Sequence, residues 1–253
     1  MRRRTFVTPP PGPLAERAAL LSIGGTGAFV ALLAALHLLR PDLDPSWRFI
    51  SEYELGEHGG LMRAAFVALA VGTAGAAVAV ASQVPRLVGC LGLLQLALSA
   101  AGMVLASIFV PDASSHLHDL GAILDQVPFG ALFVAWSLTG NQRWTARRRS
   151  LWAMALLPLL GLVLFVVSMG VMLPRNGGHP GPTVLVGWQN RFMILAQCAW
   201  LLHTAQQVRA VARGSAAGRP IDPAELVPAI SSSTAAACLP PGPASGCNQA
   251  VRG

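Results

Sequence analysis

The residues best able to do chemistry in this 253-residue sequence lie between Phe109 and Gln126. That stretch holds three aspartates and two histidines, and long apolar runs flank it on both sides. Imidazole and carboxylate groups are the ligands of a Zn²⁺ site, and they also serve as the acid and base of a hydrolytic site. The stretch therefore predicts a metal centre or an acid–base site in a mostly apolar protein.

Asp112, His116 and His118 could bind one metal ion, with Asp119 as a second layer of support. A divalent metal such as zinc is the one cofactor that this set suggests. The spacing matches no standard motif such as H-E-x-x-H. Polar residues are also expected in any loop that lies in water, and Asp112 could instead cap the next helix by accepting a backbone N–H.

Asp125 lies further along the same segment. If a helix begins near residue 115, four positions share one helix face: His118, Gly121, Ala122 and Asp125. The aspartate is then about 10 Å deeper than His118. A carboxylate inside a membrane is costly and normally faces the bundle interior with a partner. We expect Arg191 to be that partner, with Arg63 as the second candidate, in a pair that serves either function or helix register.

The elements that must position these residues are membrane helices. Hydrophobic residues make up 53% of the chain and charged residues only 11%, whereas about a quarter of residues in soluble domains are charged. Six apolar segments approach the roughly 20 residues needed to cross a bilayer. They lie at about 15–39, 61–82, 87–110, 120–140, 151–173 and 189–211. We therefore predict an all-α, polytopic six-transmembrane-helix bundle in which short connections make successive helices antiparallel neighbours.

The charge distribution predicts the orientation of this bundle. Thirteen of the 18 basic residues, all arginine, fall on one side of the predicted helices, and eight of the 11 acids fall on the other. Arginine accumulates in cytoplasmic loops, so both termini should be cytoplasmic and the acids should face outward. The net charge of +7 then reflects topology, and we expect membrane lipids rather than nucleic acid as partners. The absence of lysine is typical of a GC-rich bacterial genome, so a bacterial plasma membrane is the expected location.

Three regions follow from this pattern. Residues 1–14 form a basic cytoplasmic N-terminus, 15–211 the transmembrane domain, and 212–253 a tail rich in Ala, Pro, Ser and Gly. Such a tail cannot bury enough apolar surface to fold, so we predict that it is disordered. In the first outer loop, Ser51 and Glu52 belong to a segment that mixes aromatic residues and acids, which suits a short helix lying at the membrane surface.

Three short motifs, in this order, resemble a known family. They are Ser51-Glu52-Tyr53-x-Leu55-Gly56 after the first helix, Phe109-x-x-Asp112 followed by His118, and Gly187-x-x-x-Arg191 at the sixth helix. Together they resemble the prokaryotic membrane family catalogued as domain of unknown function 998, over about residues 15–211. The resemblance implies a six-helix membrane protein without an assigned activity. Its signature residues would be Ser51, Glu52, Gly56, Asp112, His118 and Arg191, whereas His116 and Asp125 are not part of that pattern.

Three functions are compatible with these residues. The first is an outward-facing polar pocket, without catalysis, that binds a small ligand, a lipid headgroup or an ion. Six residues would line it: Ser51, Glu52, Asp112, His118, Asp125 and Arg191. The second is a metal-dependent hydrolase of a lipid or envelope substrate, built on Asp112, His116 and His118. The third is a proton-coupled transporter that uses Asp125 and Arg191 as a relay, although unbroken apolar runs carry no inverted-repeat pattern.

Overall fold

The computed structural model of the chain describes residues 5–111, 116–125, 127–179 and 181–216. Its helices are α1 (Pro13–Leu39), α2 (Gly59–Ala81), α3 (Leu87–Ile108), α4 (His116–Leu124), α5 (Val127–Leu138), α6 (Arg148–Arg175) and α7 (Val186–Ala216). Two short 3-10 helices span Ile50–Glu54 and Gln142–Arg147. The all-α prediction is confirmed. The predicted tail begins inside α7, and its remainder, 217–253, lies outside the described residues.

Five segments of the described chain are long and apolar enough to cross a membrane. They are α1, α2, α3, the α4–α5 segment His116–Leu138, and α6 with the 3-10 helix before it, and their mean hydropathy over 18 residues runs from 1.3 to 2.6. The sixth predicted segment is α7, which has 31 residues but does not meet the same hydropathy criterion. Its polar side chains Asn190, Arg191 and Gln197 are buried. The protein is therefore a membrane-embedded helical bundle with one polar, inward-facing helix.

With α4 and α5 counted as one segment, successive helices alternate in direction, so their connections lie at two ends of the bundle. We call the end that carries the 3-10 helix Ile50–Glu54 the acid-rich end, and the end that carries Gln142–Arg147 the arginine-rich end. At the acid-rich end the Ile50 N–H donates to Asn190 Oδ1 over 3.1 Å, which joins the connection after α1 to the start of α7. At the arginine-rich end Thr8 Oγ1 donates to Gln83 Oε1 over 2.9 Å, which joins the N-terminal segment to the end of α2.

Small residues let α1 and α2 approach closely. A Cβ added at Gly25 would lie 2.7 Å from the Gly72 backbone nitrogen, and one added at Gly72 would lie 2.6 Å from Thr26 Oγ1. No side chain fits at that separation without moving a backbone. Packing of this kind stabilises helix pairs in lipid, where no hydrophobic effect drives association.

The outer surface of the bundle is apolar. Leu20, Val67, Val104 and Leu160, on four different helices, are all exposed. Only 11% of the most apolar 18-residue stretch of the α6 segment is buried. Exposed apolar area on this scale would cause aggregation in water but suits contact with lipid tails.

Buried polar side chains at the arginine-rich end bond to one another. Gln83, with no exposed surface, accepts from Thr8 Oγ1 (2.9 Å) and Trp144 Nε1 (3.2 Å) and donates from Nε2 to Pro9 O (3.0 Å). Asn141 Nδ2 donates to Thr8 Oγ1 over 2.7 Å. This network holds the N-terminal segment across the end of the bundle.

Candidate functional site

Two ionisable side chains at α4 face the bundle interior, His118 within the helix and Asp125 directly after its last residue. His118, Gly121 and Asp125 are all buried, as the predicted helix face requires. Ala122 was expected on the same face, and that prediction was wrong because Ala122 is exposed. At 100° per residue, Ala122 and Gly121 lie at opposite edges of the buried face of α4. The neighbouring helix packs on the edge that carries Gly121.

That neighbour is α3, which touches α4 through two glycines. A Cβ at Gly121 would lie 2.6 Å from Gly102 O, and one at Gly102 would lie 2.5 Å from Gly121 O. Because the two helices run antiparallel, one turn before Gly102 meets one turn after Gly121. The contact therefore brings Ser99 of α3 to Asp125.

Asp125 is held by two side chains. The Ser99 hydroxyl donates to Asp125 Oδ1, and Gln197 Nε2 of α7 donates to Oδ1 (2.9 Å) and to Oδ2 (3.2 Å). The carboxyl is buried, with 7% of the residue exposed. Among the described residues its partners are neutral, so no cation offsets a negative charge at this position.

The predicted partner of Asp125 was wrong. Arg191 bonds to other groups, and Arg63, the second candidate, is not among the hydrogen-bond partners of Asp125 in the described chain. Gln197 lies six residues further into α7 than Arg191, which is about 9 Å at 1.5 Å per residue. That displacement matches the depth of Asp125 below the acid-rich end, so the glutamine meets the aspartate.

Asp125 itself is not helical and lies between α4 and α5. Helix α4 ends at Leu124 and α5 begins at Val127, within a segment that the sequence pattern presents as one continuous apolar run. Pro128 explains the break, because proline has no N–H to donate to the carbonyl four residues earlier and its ring crowds that carbonyl. A buried carboxylate at a break in a membrane helix is an arrangement that transporters use for binding sites.

A second buried acid, Glu54, lies at the acid-rich end. Its side chain has no exposed surface, and His118 Nδ1 lies 3.5 Å from Glu54 Oε2. Within the described part of the chain, neither carboxylate oxygen of Glu54 has a hydrogen-bond partner. His118 Nδ1 also lies 2.7 Å from Phe109 O, and since a carbonyl can only accept, Nδ1 carries a hydrogen. The imidazole therefore presents an N–H between a carbonyl and a carboxyl group.

The conformation of the local backbone fixes the position of Glu54. The chain turns sharply after the 3-10 helix, with positive φ at Gly56 (76°) and His58 (65°). A Cβ at Gly59 would overlap the Glu54 carbonyl oxygen, so only glycine fits there. Burial raises the pKa of the Glu54 carboxyl to about 7, and the positive charge of Arg63, one turn into α2, opposes the rise.

Arg191 forms a separate cluster. Its Nε donates to His37 Nε2 (2.8 Å), its Nη1 to Arg48 O (2.6 Å) and Gly187 O (3.1 Å), and its Nη2 to Tyr53 Oη (3.4 Å). His37 Nδ1 lies 2.7 Å from Leu33 O and must donate to it, which leaves Nε2 as the acceptor. The guanidinium thus ties α7 to α1 and to the connection between α1 and α2.

Glu52 also has structural partners. Its carboxylate accepts from Arg48 Nη1 (2.7 Å) and from the Phe49 N–H (3.0 Å), which caps the 3-10 helix. Ser51 is half-buried in the same helix. Of the six residues predicted to line one pocket, Glu52 and Arg191 are engaged within the protein, and Asp112 lies outside the described residues.

The predicted metal set is not assembled by α4. His116 and His118 are two residues apart on a helix, where side chains do not face each other, and His116 is exposed whereas His118 is buried. No group of three potential metal ligands occurs among the described residues. The remaining member, Asp112, lies outside them.

The sequence analysis did not select Glu54, Gln197 or His37 as site residues. The spacing of residues in the sequence could have indicated Glu54 and Gln197. Ile50, Tyr53 and Glu54 have the spacing of one helix face and are all buried, and Asn190 and Gln197 are seven residues apart on the inward face of α7. His37 gave no such signal, since its role depends on where Arg191 lies in space.

The comparisons with known proteins give one match. The family model described as "Protein of unknown function (DUF998)" matches residues 23–206. No curated protein and no solved structure matches the chain. The family match spans well over half of the sequence and agrees with the predicted resemblance. The chain therefore belongs to the DUF998 family.

Proposed function

We propose that this chain is a proton-coupled membrane protein in which Glu54 and His118 form the first proton-binding site and Asp125 is a second, deeper acid. The observation that carries the proposal is the state of Glu54, a carboxyl that has no exposed surface and, among the residues the structure describes, no hydrogen-bond partner. A charge in such a place costs several kcal/mol, which protonation removes. The pKa of Glu54, raised to about 7 by burial, puts the exchange of that proton near neutral pH.

The proton is the ligand that suits this site best. The Glu54 side chain is enclosed, so a lipid headgroup or an organic ligand could reach it only after a rearrangement of the bundle. Glu52 and Arg191, which were predicted to hold such a ligand, already have partners within the protein. Of the small ligands and ions that the sequence allowed, we therefore propose H⁺ as the ligand of Glu54.

Asp125 extends the site into the bundle. It lies on the same buried face of α4 as His118, seven residues or about 10 Å further along the helix. That distance exceeds a hydrogen bond, so proton transfer between His118 and Asp125 requires intervening water. Chains of Asp, Glu and His at increasing depth are typical of proton relays in pumps and transporters. The break beside Asp125 supplies the discontinuous helix that the apolar pattern did not indicate.

Infrared difference spectroscopy of the purified protein between pH 5 and pH 8 tests proton binding. We expect a protonated-carboxyl band that disappears with a midpoint near pH 7 and is missing from Glu54→Gln. Glu57→Gln is the matched control, because Glu57 is an exposed acid three residues away. If Glu54→Gln retains the same titrating band as the wild type, the assignment of the proton to Glu54 is wrong.

Proton flux tests the coupling. In liposomes with an internal pH-sensitive dye and an imposed pH gradient, the wild type should dissipate the gradient faster than protein-free vesicles. Glu54→Gln and Asp125→Asn should lose most of that flux, and Glu57→Gln should keep it. Flux that is equal in all four proteins, or equal to that of empty vesicles, would refute the proposal.

A further inference from the structure

A cavity of about 230 Å³ lies between α6 and the start of α7. Its inner wall includes Ser168, Val184 and Gln189, and its rim includes Val167, Val171 and Leu185. The three rim residues are exposed, whereas Ser168 and Val184 are buried. The cavity therefore opens between apolar side chains on the outer surface of the bundle.

Its depth places the cavity in the outer part of the hydrocarbon layer. Val171 lies four residues before the end of α6 at Arg175, and Val167 lies eight before it, which is about 6 Å and 12 Å along the helix. Both belong to a segment apolar enough to span the membrane. An opening at this level faces the upper part of a lipid acyl chain rather than water.

Polar side chains lie at and beside the cavity, at the level of a lipid headgroup. Gln189 is half-buried and lines the cavity, and within the described part of the chain its Oε1 has no hydrogen-bond partner. That oxygen is turned away from solvent, so the side chain must rotate about its amide to meet a headgroup donor. Arg175 is exposed at the end of α6, one turn from Val171 on the same helix face. Trp188, 53% exposed, lies beside Gln189, as aromatic residues do at the membrane surface. An arginine binds phosphate, and an amide oxygen accepts from an ammonium or hydroxyl group.

We infer that this cavity binds one phospholipid, with an acyl chain between Val167, Val171 and Leu185, the phosphate at Arg175, and a headgroup donor at Gln189. The site shares no residue with Glu54, His118 or Asp125. Its occupant has a donor on its headgroup, as phosphatidylethanolamine and phosphatidylglycerol do and phosphatidylcholine does not. The inference is therefore independent of proton binding, and either proposal can fail alone.

Native mass spectrometry of the delipidated full chain, titrated with each of these three lipids, tests the site. Val171→Trp fills the cavity, and we expect it to weaken binding of the first lipid about tenfold or more. Val163→Trp is the matched control, since Val163 is an exposed valine of α6 outside the cavity. It should leave binding unchanged. Equal binding by the wild type and Val171→Trp, or an equal loss in both variants, would overturn the inference.

Two further variants test the headgroup contacts. Arg175→Gln should weaken binding of all three lipids, because each carries the phosphate. Gln189→Leu should remove the preference for phosphatidylethanolamine and phosphatidylglycerol over phosphatidylcholine, which we expect to be roughly fivefold, the factor of one ordinary hydrogen bond. Unchanged affinity in Arg175→Gln, or an unchanged preference in Gln189→Leu, would show that the headgroup does not lie at these residues.

Discussion

Two buried polar clusters, one at each end of the bundle, differ in their hydrogen bonding. At the arginine-rich end, Gln83, Thr8 and Asn141 bond to one another, and Gln83 also accepts from Trp144. At the acid-rich end, Glu54 is equally buried but has no hydrogen bond to any described residue, and His118 Nδ1 lies 3.5 Å from its Oε2. Buried polar groups are nearly always paired in folded proteins, so the unpaired acid requires a specific explanation.

This difference distinguishes buried polar groups that stabilise the fold from a buried group that can exchange a proton. A network in which each member has a partner lowers the free energy of the folded state and has no reason to exchange protons. A buried carboxyl without partners destabilises the folded state most when it is charged, and its protonation state responds to pH. We therefore expect substitutions at the arginine-rich end to change stability at every pH, and substitutions at Glu54 to change how stability depends on pH.

The largest effect should come from Gln83→Leu. The substitution leaves the Trp144 indole N–H and the Pro9 carbonyl without a partner, so the free energy of unfolding should fall by about 2–4 kcal/mol. Thermal unfolding in detergent measures the loss, which should be the same at pH 5 and pH 8. Gln142→Leu, at a more exposed glutamine of the same end, should have a much smaller effect. Equal stability of Gln83→Leu and the wild type would show that the network is not stabilising.

Glu54→Gln should have a pH-dependent effect of similar size. Because burial raises the pKa of Glu54 from 4.5 to about 7, the folded state holds the proton more tightly than the unfolded chain does. This contribution to stability is complete below pH 4.5 and is lost as the pH rises through 7, up to about 3 kcal/mol at 1.36 kcal/mol per pKa unit. The wild type should therefore lose stability between pH 5 and pH 8 relative to Glu54→Gln.

Unfolding curves of both proteins across that pH range give the comparison, with Glu57→Gln as the control. Parallel pH dependences in the wild type and Glu54→Gln would mean that Glu54 is charged in the folded protein throughout. The unpaired acid would then differ from the network at the other end in geometry alone.

The smallest effect should come from Asp42→Ala, also at the acid-rich end. The hydrogen bond from Arg40 lowers the pKa of Asp42, but this pair is in water, with 58% of the Asp42 side chain exposed. Exposed ion pairs contribute little and are screened by salt. The melting temperature should change less than in the other variants, and the change should vanish in high salt. A large loss would show that charge, rather than burial, distinguishes this end.

Much of the fold was predictable because membranes impose simple rules. Long apolar runs located the five segments that are able to span the membrane, since such a segment must satisfy its own backbone hydrogen bonds. Glycine-rich stretches such as Gly72 to Ala76 indicated close helix contacts, and the structure places Gly25 against Gly72. The break beside Asp125 was missed, because Pro128 occurs in an otherwise continuous apolar run and proline in a membrane helix can bend it or break it.

The candidate site was predicted less well, for a reason of geometry. The sequence analysis placed Asp125 deep in the bundle and on one helix face with His118, and both residues are buried in the structure. Their partners were not predictable, because a charged partner for Asp125 was assumed, whereas helix depth brings it to Gln197 and Ser99. His116 and His118 lie two residues apart on α4, where side chains point in different directions, and the metal set that includes Asp112 stays a prediction.

The sequence by itself determined that this protein lies in a membrane, which helices it has and which polar residues are costly to bury, because these follow from composition, run length and helical period. The tertiary structure alone decided which of those residues meet. The axial offset between α4 and α7 gives Asp125 a neutral partner, and the sharp turn before α2 encloses Glu54 beside His118. Such contacts depend on the relative depth of helices far apart in the chain, which no local pattern encodes.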